Sequence, residues 1–235
     1  MYLVTQCEGN GMSEYDRADF TGVYEGKSLI ESAEITSVPW EIGEPQPFVC
    51  EILDSVPPGR LLDVGCGLGR NAKAASDRGY QVIAIDTSSA AIEKCREFYP
   101  DSGISFQVRD ACSTGLMPGF NVILDSATYH AIPAAKRMAY LMEMHRLASE
   151  DTIFHLITFA PSLYGMPKPL ASELSELANT VESGGWKIKL AERIEYKGNA
   201  AAIEDFRKKK GLKIQVDNKG RTRLPAWHLV LQVTV

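Results

Sequence analysis

The chain has 235 residues, of which 45% are hydrophobic and 23% are charged, and its formal net charge is -5. These proportions are typical of a folded globular domain and exclude an intrinsically disordered chain. The mildly acidic balance provides no general electrostatic attraction to nucleic acid.

The sequence lacks the usual marks of secreted, membrane-spanning and metal-binding proteins. Residues 1–12 contain no basic segment followed by an apolar run and a small-residue cleavage site. No apolar stretch approaches the roughly 18 residues that a membrane-spanning helix needs. The cysteines are scattered and odd in number, which argues against disulfides and a zinc site; they are Cys7, Cys50, Cys66, Cys95 and Cys112. We therefore expect a cytoplasmic protein with reduced thiols, no membrane association and no bound metal.

The first 37 residues are polar and mixed, and they predict a frayed start followed by an N-terminal cap over one end of a sheet. Residues 38–235 are predicted to form one α/β domain. Turn-forming residues are dense from Val38 to Pro47, and Trp40 lies among them. Trp40 either covers the core or closes over a ligand. Pro47 suits the first turn of a helix over residues 48–53.

A glycine-rich stretch follows the first predicted strand. Leu61, Leu62 and Val64 form a short apolar strand, and residues 71–78 are compatible with a helix. Between them stand Gly65, Gly67 and Gly69, so the pattern is strand, glycine loop, helix, as at the start of a nucleotide-binding βαβ unit. The dinucleotide fingerprint requires its third glycine where this chain has Arg70, which makes the loop a poor NAD site.

The second predicted strand, residues 80–85, ends at Asp86. A carboxylate at this end of the second strand of a parallel sheet is placed to accept hydrogen bonds from both hydroxyls of a ribose. Thr87 and the two serines after it favour the start of a helix. Asp86 is therefore predicted to bind a nucleoside, to cap this helix, or to do both.

Two further strands are predicted to end at the same edge of the sheet. Residues 104–108 lead to Asp110, and residues 120–124 lead to the segment 125–130. His130 is a candidate general base, because an unperturbed histidine has a pKa of about 6.5 and is partly neutral at physiological pH. Tyr129 is a candidate for orienting or stacking on a substrate. Alternatively, both side chains line a pocket without proton chemistry.

The second half of the chain continues the alternation of helices and strands. Predicted helices cover residues 133–148 and 172–181, and predicted strands cover residues 152–159, 186–194 and 228–233. The proline-rich residues 160–170 form either a lid or a plain connector. Residues 197–223 are rich in lysine and arginine, and we expect a solvated hairpin or surface insertion rather than a site for phosphate or RNA.

Two stretches carry a family resemblance. The segment from Asp63 to Gly69, Asp-Val-Gly-Cys-Gly-Leu-Gly, resembles motif I of class I methyltransferases that use S-adenosylmethionine (SAM). The segment from Pro39 to Pro47, Pro-Trp-Glu-Ile-Gly-Glu-Pro-Gln-Pro, resembles the pre-motif segment of the group that contains thiopurine, thiol, halide, tellurite and small-heterocycle methyltransferases. The resemblance is good from residue 38 to about residue 160.

The resemblance implies a fold and a cofactor. The fold is α/β, with a Rossmann-like seven-stranded, mostly parallel sheet flanked by helices, a last strand antiparallel between strands five and six, and the N-terminal cap. The cofactor is SAM, and the product is S-adenosylhomocysteine (SAH). Asp110 falls where the family binds the adenine amino group, although it could be a surface-turn residue, and Asp63 is an indirect partner of the SAM amino group. The full predicted cofactor site is Trp40, Asp63, Gly65, Gly67, Gly69, Asn71, Asp86, Thr87, Asp110, Ala111 and Asp125, with Asp125 supplying a backbone carbonyl.

The residues after the fourth strand limit the classes of molecule that could accept the methyl group. Asp125-Ser126-Ala127-Thr128 lacks the two prolines and aromatic residue of nucleic-acid amino methyltransferases, and no Pro-Cys pair offers a cytosine-C5 nucleophile. Carboxylates are not clustered as a magnesium-dependent catechol enzyme requires. We expect methyl transfer to oxygen, nitrogen or sulfur of a small aromatic or heterocyclic molecule by a monomer or homodimer. The alternatives are a non-catalytic SAM-fold partner protein and an NAD(P)-dependent oxidoreductase.

Overall fold

The computed structural model describes residues 14–35 and 37–234. The first part of the predicted cap and Cys7 lie outside these residues. Within the described part of the chain, no helix is both long and apolar enough to cross a membrane.

The centre of the fold is one mixed sheet in the order β3-β2-β1-β4-β5-β8-β6, with β7 paired to β8. Strands β1 to β5 run parallel, and β8 runs antiparallel to both of its neighbours, β5 and β6. The predicted mostly parallel sheet with an antiparallel last strand is thus confirmed. Within the described residues, the sheet has eight strands rather than seven, since the two-residue strand β7 is added to it. The strands are β1 (Arg60–Val64), β2 (Gln81–Asp86), β3 (Ser105–Val108), β4 (Phe120–Ser126), β5 (Ala148–Phe159), β6 (Trp186–Asn199), β7 (Gln215–Val216) and β8 (Arg221–Val233).

Helices cover both faces of the sheet, because alternate residues of each strand point to opposite sides. Leu61 of β1 packs in one apolar cluster with α1 to α3, and Leu62 packs in a second cluster with α4 and α5. Buried on both faces, the parallel strands read as nearly continuous apolar runs. The helices are α1 (Pro47–Ser55), α2 (Arg70–Ser76), α3 (Ser89–Phe98), α4 (Arg137–Leu147), α5 (Leu174–Ser183) and α6 (Glu204–Lys209).

The basic segment, residues 197–223, is an insertion that belongs partly to the sheet. It contains the end of β6, α6, β7 and the first residues of β8, so the last strand begins at Arg221 rather than at His228. The start of β8 is hard to recognise in the sequence because it contains charged residues. Arg223 faces outward and pairs with Glu195 at 2.6 Å, whereas Thr222 and Leu224 face the core. Short ion pairs neutralise much of α6, including Lys208 with Glu204 and Lys209 with Asp205.

The described N-terminal segment, residues 14–35, packs on this insertion. Ile30 and Ile35 form one buried cluster with Phe206 of α6. Lys210 binds Glu14 at 2.7 Å, and the backbone N–H of Glu34 donates to Asp205 at 2.7 Å. The N-terminal segment and the insertion therefore form a shared wall beside the sheet.

Candidate functional site

The glycine loop is shaped by a close approach to the β4 loop. Gly65 has φ +66°, and a Cβ built on it would lie 2.0 Å from Oγ1 of Thr128. That hydroxyl donates to the carbonyl oxygen of Val64 at 2.8 Å, so it is held in place against the loop. A side chain at residue 65 would meet both an unfavourable backbone conformation and an occupied space.

Asp86 joins the end of β2 to this loop. Its Oδ2 accepts a hydrogen bond from the backbone N–H of Gly67 at 2.9 Å, and its Oδ1 accepts one from the N–H of Ser88 at 2.9 Å. Burial raises the pKa of Asp86, while these amide donors act in the opposite direction. The N-cap of α3 is Ser88, whose hydroxyl accepts from Ala91 at 3.2 Å. Ser88, rather than Asp86, therefore caps α3.

Two other predicted aspartates are buried behind the loop. Asp63 is only 1% exposed, and its Oδ2 has no hydrogen-bond partner in the described structure. Asp125 is fully buried; its Oδ1 accepts from the N–H of Thr128 at 2.6 Å and its Oδ2 accepts from the hydroxyl of Tyr140 at 2.6 Å. Burial raises the pKa of each carboxyl to about 7, and neighbouring carboxylates add to the rise at Asp63. The Asp125 side chain thus fixes the β4 loop from the core.

A cavity of about 300 Å³, which we call the donor cavity, opens at the carboxyl edge of the parallel strands. Its wall brings together several of the sequence-predicted residues: Trp40, Gly65, Asp86, Thr87, Asp110 and Ala111. Gly67, Gly69, Asp63 and Asp125 lie behind this wall rather than in it. Asn71 is also behind it, where its Oδ1 accepts from the N–H of Gln46 at 3.0 Å.

Trp40 is held at the cavity by the pre-motif segment. The carbonyl of Pro39 accepts from the N–H of Asn199 at 2.7 Å, and the side chain of Gln46 pairs with the backbone of Lys197. The indole N–H of Trp40 donates to the hydroxyl of Tyr24 at 2.9 Å. Trp40 is therefore a fixed wall of the cavity, tied to the N-terminal segment.

His130 and Tyr129 are neighbours in the chain, but the structure separates their environments. The ring of His130 lines the donor cavity and lies 4.2 Å from the ring of Phe159. Burial, and then the charge of Arg137, lower the pKa of His130 to about 3. Burial thus shifts the pKa of His130 below the value of about 6.5 for an unperturbed histidine. Tyr129 is 2% exposed and packs on Tyr140 in the core, so stacking of Tyr129 on a substrate does not agree with its position.

A second cavity, of about 100 Å³, adjoins the donor cavity. The two share walls formed by Phe20, Trp40, Ala127, His130 and Tyr196, among others. No aspartate, glutamate, lysine or arginine lines the second cavity within the described chain. Met166 and Leu170 from the predicted lid contribute to it. Phe20 and Tyr196 are not predictable as site residues from the sequence, because neither the irregular N-terminal segment nor the imperfectly alternating strand β6 marks a site.

Comparison with known proteins agrees with this geometry. A family described as a methyltransferase domain matches residues 61–151. The chain is 24% identical to 2-heptyl-1-hydroxyquinolin-4(1H)-one methyltransferase of Mycobacteroides abscessus, over 93% of this chain and 98% of that protein. The chain is a class I SAM-dependent methyltransferase.

This methyltransferase is also similar to a plant enzyme and to a solved structure. It is 31% identical to thiocyanate methyltransferase 1 of Brassica oleracea, but over 48% of this chain, and it spans about half of that protein, 53%. A solved structure described for the conversion of a disulfide bond into a thioacetal group during echinomycin biosynthesis superimposes with a TM-score of 0.75. It is 23% identical and covers 92% of this chain and 91% of its own, so the fold is shared along almost the whole length.

The residues of the donor cavity fit SAM in class I methyltransferase fashion. The glycine loop leaves space for close approach of a ligand, and Asp86 offers a carboxylate at the end of β2, beside the loop. The unpartnered Oδ2 of Asp63 is a buried acceptor two residues before the first glycine of the loop. Among residues 14–35 and 37–234, no group of three or more metal-binding side chains is placed to hold a metal ion.

Proposed function

We propose that this methyltransferase transfers the methyl group of SAM to an oxygen, nitrogen or sulfur atom of a small, uncharged aromatic or heterocyclic molecule. The observation that carries the proposal is the junction of the two cavities at Trp40, Ala127 and His130. A donor in the first cavity and an acceptor in the second would meet at this junction. The proposed roles of Asp86 at the ribose and Asp110 at the adenine amino group place the donor accordingly.

The reaction needs little covalent assistance from the protein. SAM, when bound, supplies a methyl group on a positively charged sulfur. Methyl transfer would form a bond between a lone pair of the acceptor and the methyl carbon, the electron pair of the broken bond would return to sulfur, and the acceptor's proton would pass to bulk solvent. The contribution of the chain is to hold the acceptor in line with the methyl group and to exclude water. Trp40 and Phe20, whose ring centroids are 5.8 Å apart, cover the junction for this purpose.

The uncharged lining of the second cavity favours a neutral acceptor over an anion. A thiocyanate or halide ion placed there would lose its hydration and would find no lysine or arginine side chain among the described residues of the lining. The relative from M. abscessus is named for a heptyl-substituted hydroxyquinolone, whereas the plant relative is named for thiocyanate. The lining of this chain supports the first of these two acceptor types.

Ion pairing within the basic segment, residues 197–223, favours a small molecule over RNA as the methyl acceptor. Lys208, Lys209 and Lys210 each bind a carboxylate, at 3.1, 2.9 and 2.7 Å. Arg221 likewise binds Asp217 at 3.0 Å. Because these cations are already matched, the segment offers less charge to a phosphate backbone than its composition indicates.

A competition panel tests the proposed function. Labelled SAM is incubated with the protein and a mixture of phenols, hydroxyquinolones, thiols, iodide and thiocyanate, and the methylated products are identified. We expect a neutral ring compound to be methylated with kcat/KM at least about a hundredfold above that of either anion. Preferential methylation of iodide or thiocyanate would refute the neutral-acceptor assignment. Thermal stabilisation by SAH, with NAD as the control, reports donor binding separately.

The low pKa of His130 predicts a particular pH dependence. Since the folded-state pKa is about 3, the ring stays neutral between about pH 5 and about pH 8, and its titration contributes no inflection to kcat/KM there. The buried Nδ1, which lacks a partner in the described structure, is proposed to accept a hydrogen bond from the acceptor. His130→Phe keeps a ring against Phe159 but removes Nδ1, and we expect kcat/KM to fall about tenfold to a hundredfold.

Two controls separate this role from packing and from proton transfer. His130→Asn restores an acceptor atom near Nδ1, so its kcat/KM should lie above that of His130→Phe. His145→Asn, on α4 and outside both cavities, should leave kcat/KM unchanged. A wild-type inflection near pH 6.5 that disappears in His130→Phe would instead show a titrating base.

A further inference from the structure

The end of the second cavity away from the donor has a distinct composition. Ile30, Ile35, Ile203 and Phe206 line the second cavity but not the donor cavity. We call the space between them the distal chamber. All four side chains are buried, with exposed fractions between 3% and 6%. Three of them, Ile30, Ile35 and Phe206, belong to the cluster that joins the N-terminal segment to α6.

The end of the second cavity beside the donor is built mainly of rings. His130 lies against Phe159, with centroids 4.2 Å apart, and Tyr196 meets Phe159 edge-on at 5.8 Å. Trp40 closes the same end. Flat ring surfaces favour contact with a flat acceptor ring. The second cavity thus changes from aromatic near the methyl donor to mainly aliphatic in the distal chamber.

We propose that the distal chamber binds an aliphatic substituent of the acceptor, so that the substrate class is ring compounds that carry an uncharged alkyl chain. This inference rests on the proposed function, because it assumes that the acceptor ring lies at the junction. An alkyl chain matches isoleucine side chains without requiring a polar partner. A substituent that ends in a carboxylate or an amine would be buried without a counter-charge, which disfavours it strongly.

The chamber is a binding site for a chain rather than space enclosed by chance. Its walls come from residues far apart in sequence, Ile30 and Ile35 on one side and Ile203 and Phe206 on the other. These walls are held together at their polar ends by the Lys210 to Glu14 ion pair and by the hydrogen bond from Glu34 to Asp205. The polar contacts thus keep the apolar side chains in a fixed arrangement around the chamber.

The test is a chain-length series measured by binding. The probes are 1-hydroxyquinolin-4(1H)-ones with methyl, propyl, pentyl or heptyl at position 2, titrated into the full-length protein saturated with SAH. Calorimetry gives Kd for each compound. We expect Kd to fall about threefold to fourfold for each added methylene until the chamber is full. Equal Kd values for the methyl and heptyl compounds would overturn the proposal without any variant being needed.

A pair of matched variants tests whether the dependence of Kd on chain length arises in the distal chamber. Ile203→Phe adds volume inside the chamber, whereas Ile214→Phe makes the same change at a buried isoleucine of the insertion that lines neither cavity. We expect Ile203→Phe to lose most of the gain beyond the propyl compound and to bind the methyl compound within about twofold of wild type. Ile214→Phe should retain the wild-type series. Identical series for the two variants would overturn the proposal, and Ile35→Phe replaces Ile203→Phe if the latter does not fold.

Methylation of the same compounds is measured separately. Chain-length-dependent binding without methylation would refute the proposed function and leave the distal chamber standing. Methylation with Kd independent of chain length would refute the chamber and leave the proposed function standing.

Discussion

Replacing Gly65 with alanine is expected to weaken SAH binding at least about a hundredfold while leaving the domain folded. Residue 65 has φ +66°, where an alanine costs about 1 kcal/mol relative to glycine. The larger effect is steric, since the new Cβ would lie 2.0 Å from Oγ1 of Thr128. Because that hydroxyl is bonded to the carbonyl of Val64, relief of the overlap must displace the glycine loop or the β4 loop. Both loops line the donor cavity.

Gly103→Ala is a matched control for this experiment. Gly103 has φ +70°, so the alanine there carries similar backbone strain, but a Cβ would meet no atom within 4 Å. We expect Gly103→Ala to lower thermal stability slightly and to bind SAH with the wild-type Kd. Calorimetric titration with SAH measures affinity, and thermal unfolding verifies the fold. If Gly65→Ala bound SAH within about threefold of wild type, the loop would not be the donor site.

The donor half of the site was predictable because its chemistry is local in sequence. Strand, glycine loop and helix lie within residues 60–76, and the register of β1 with β2 places Asp86 beside the loop. The position of the last strand, antiparallel between strands five and six, followed from the resemblance. Trp40 was also predictable, since the pre-motif segment carries it, although its bond to Tyr24 was not.

The second cavity, which we propose as the acceptor site, depends on contacts between distant parts of the chain, which no local pattern reports. The second cavity combines Phe20, His130, Tyr196 and Phe206, from four separate segments. The direction of neighbouring side chains was equally hidden: in the turn Tyr129–Ala131, the Tyr129 ring enters the core and the His130 ring enters the cavity. Enclosure by that same packing lowers the pKa of His130, so its protonation state could not be read from residue type.

The hydrogen-bond partners of the Asp125 side chain were equally hidden in the sequence. As the residue at the end of β4, it was expected to face the ligand through its backbone. Its side chain accepts hydrogen bonds from Thr128, Tyr129 and Tyr140, and this network sets the turn that carries His130. A buried carboxylate with its hydrogen bonds satisfied is a positioning group for the loop. The turn that carries His130 is thus held by a core residue that lines neither cavity.

Asp86→Asn is expected to raise the Kd for SAH about tenfold to a hundredfold. In the structure both carboxylate oxygens accept from amide donors, Gly67 on Oδ2 and Ser88 on Oδ1. An asparagine can offer an oxygen to one of these amides, but its NH₂ group must then face the other donor. The variant therefore loosens the loop and also loses the charge that is proposed to accept from the ribose hydroxyls. Asp54→Asn, on the surface beside Arg78, is the control and should leave the Kd unchanged.

A ligand cycle separates these two losses. The 2′-deoxy analogue of SAH lacks one of the hydroxyls, so wild-type protein should bind it about tenfold more weakly than SAH. If Asp86 accepts from that hydroxyl, the Kd values of Asp86→Asn for the two ligands should differ by about threefold or less. The reason is that the variant has already lost the carboxylate that binds the hydroxyl. If the variant retained the full wild-type ratio, Asp86 would act only by holding Gly67. The ribose would then have to be bound by another group at the same edge of the sheet, of which Thr87 is the nearest along the chain.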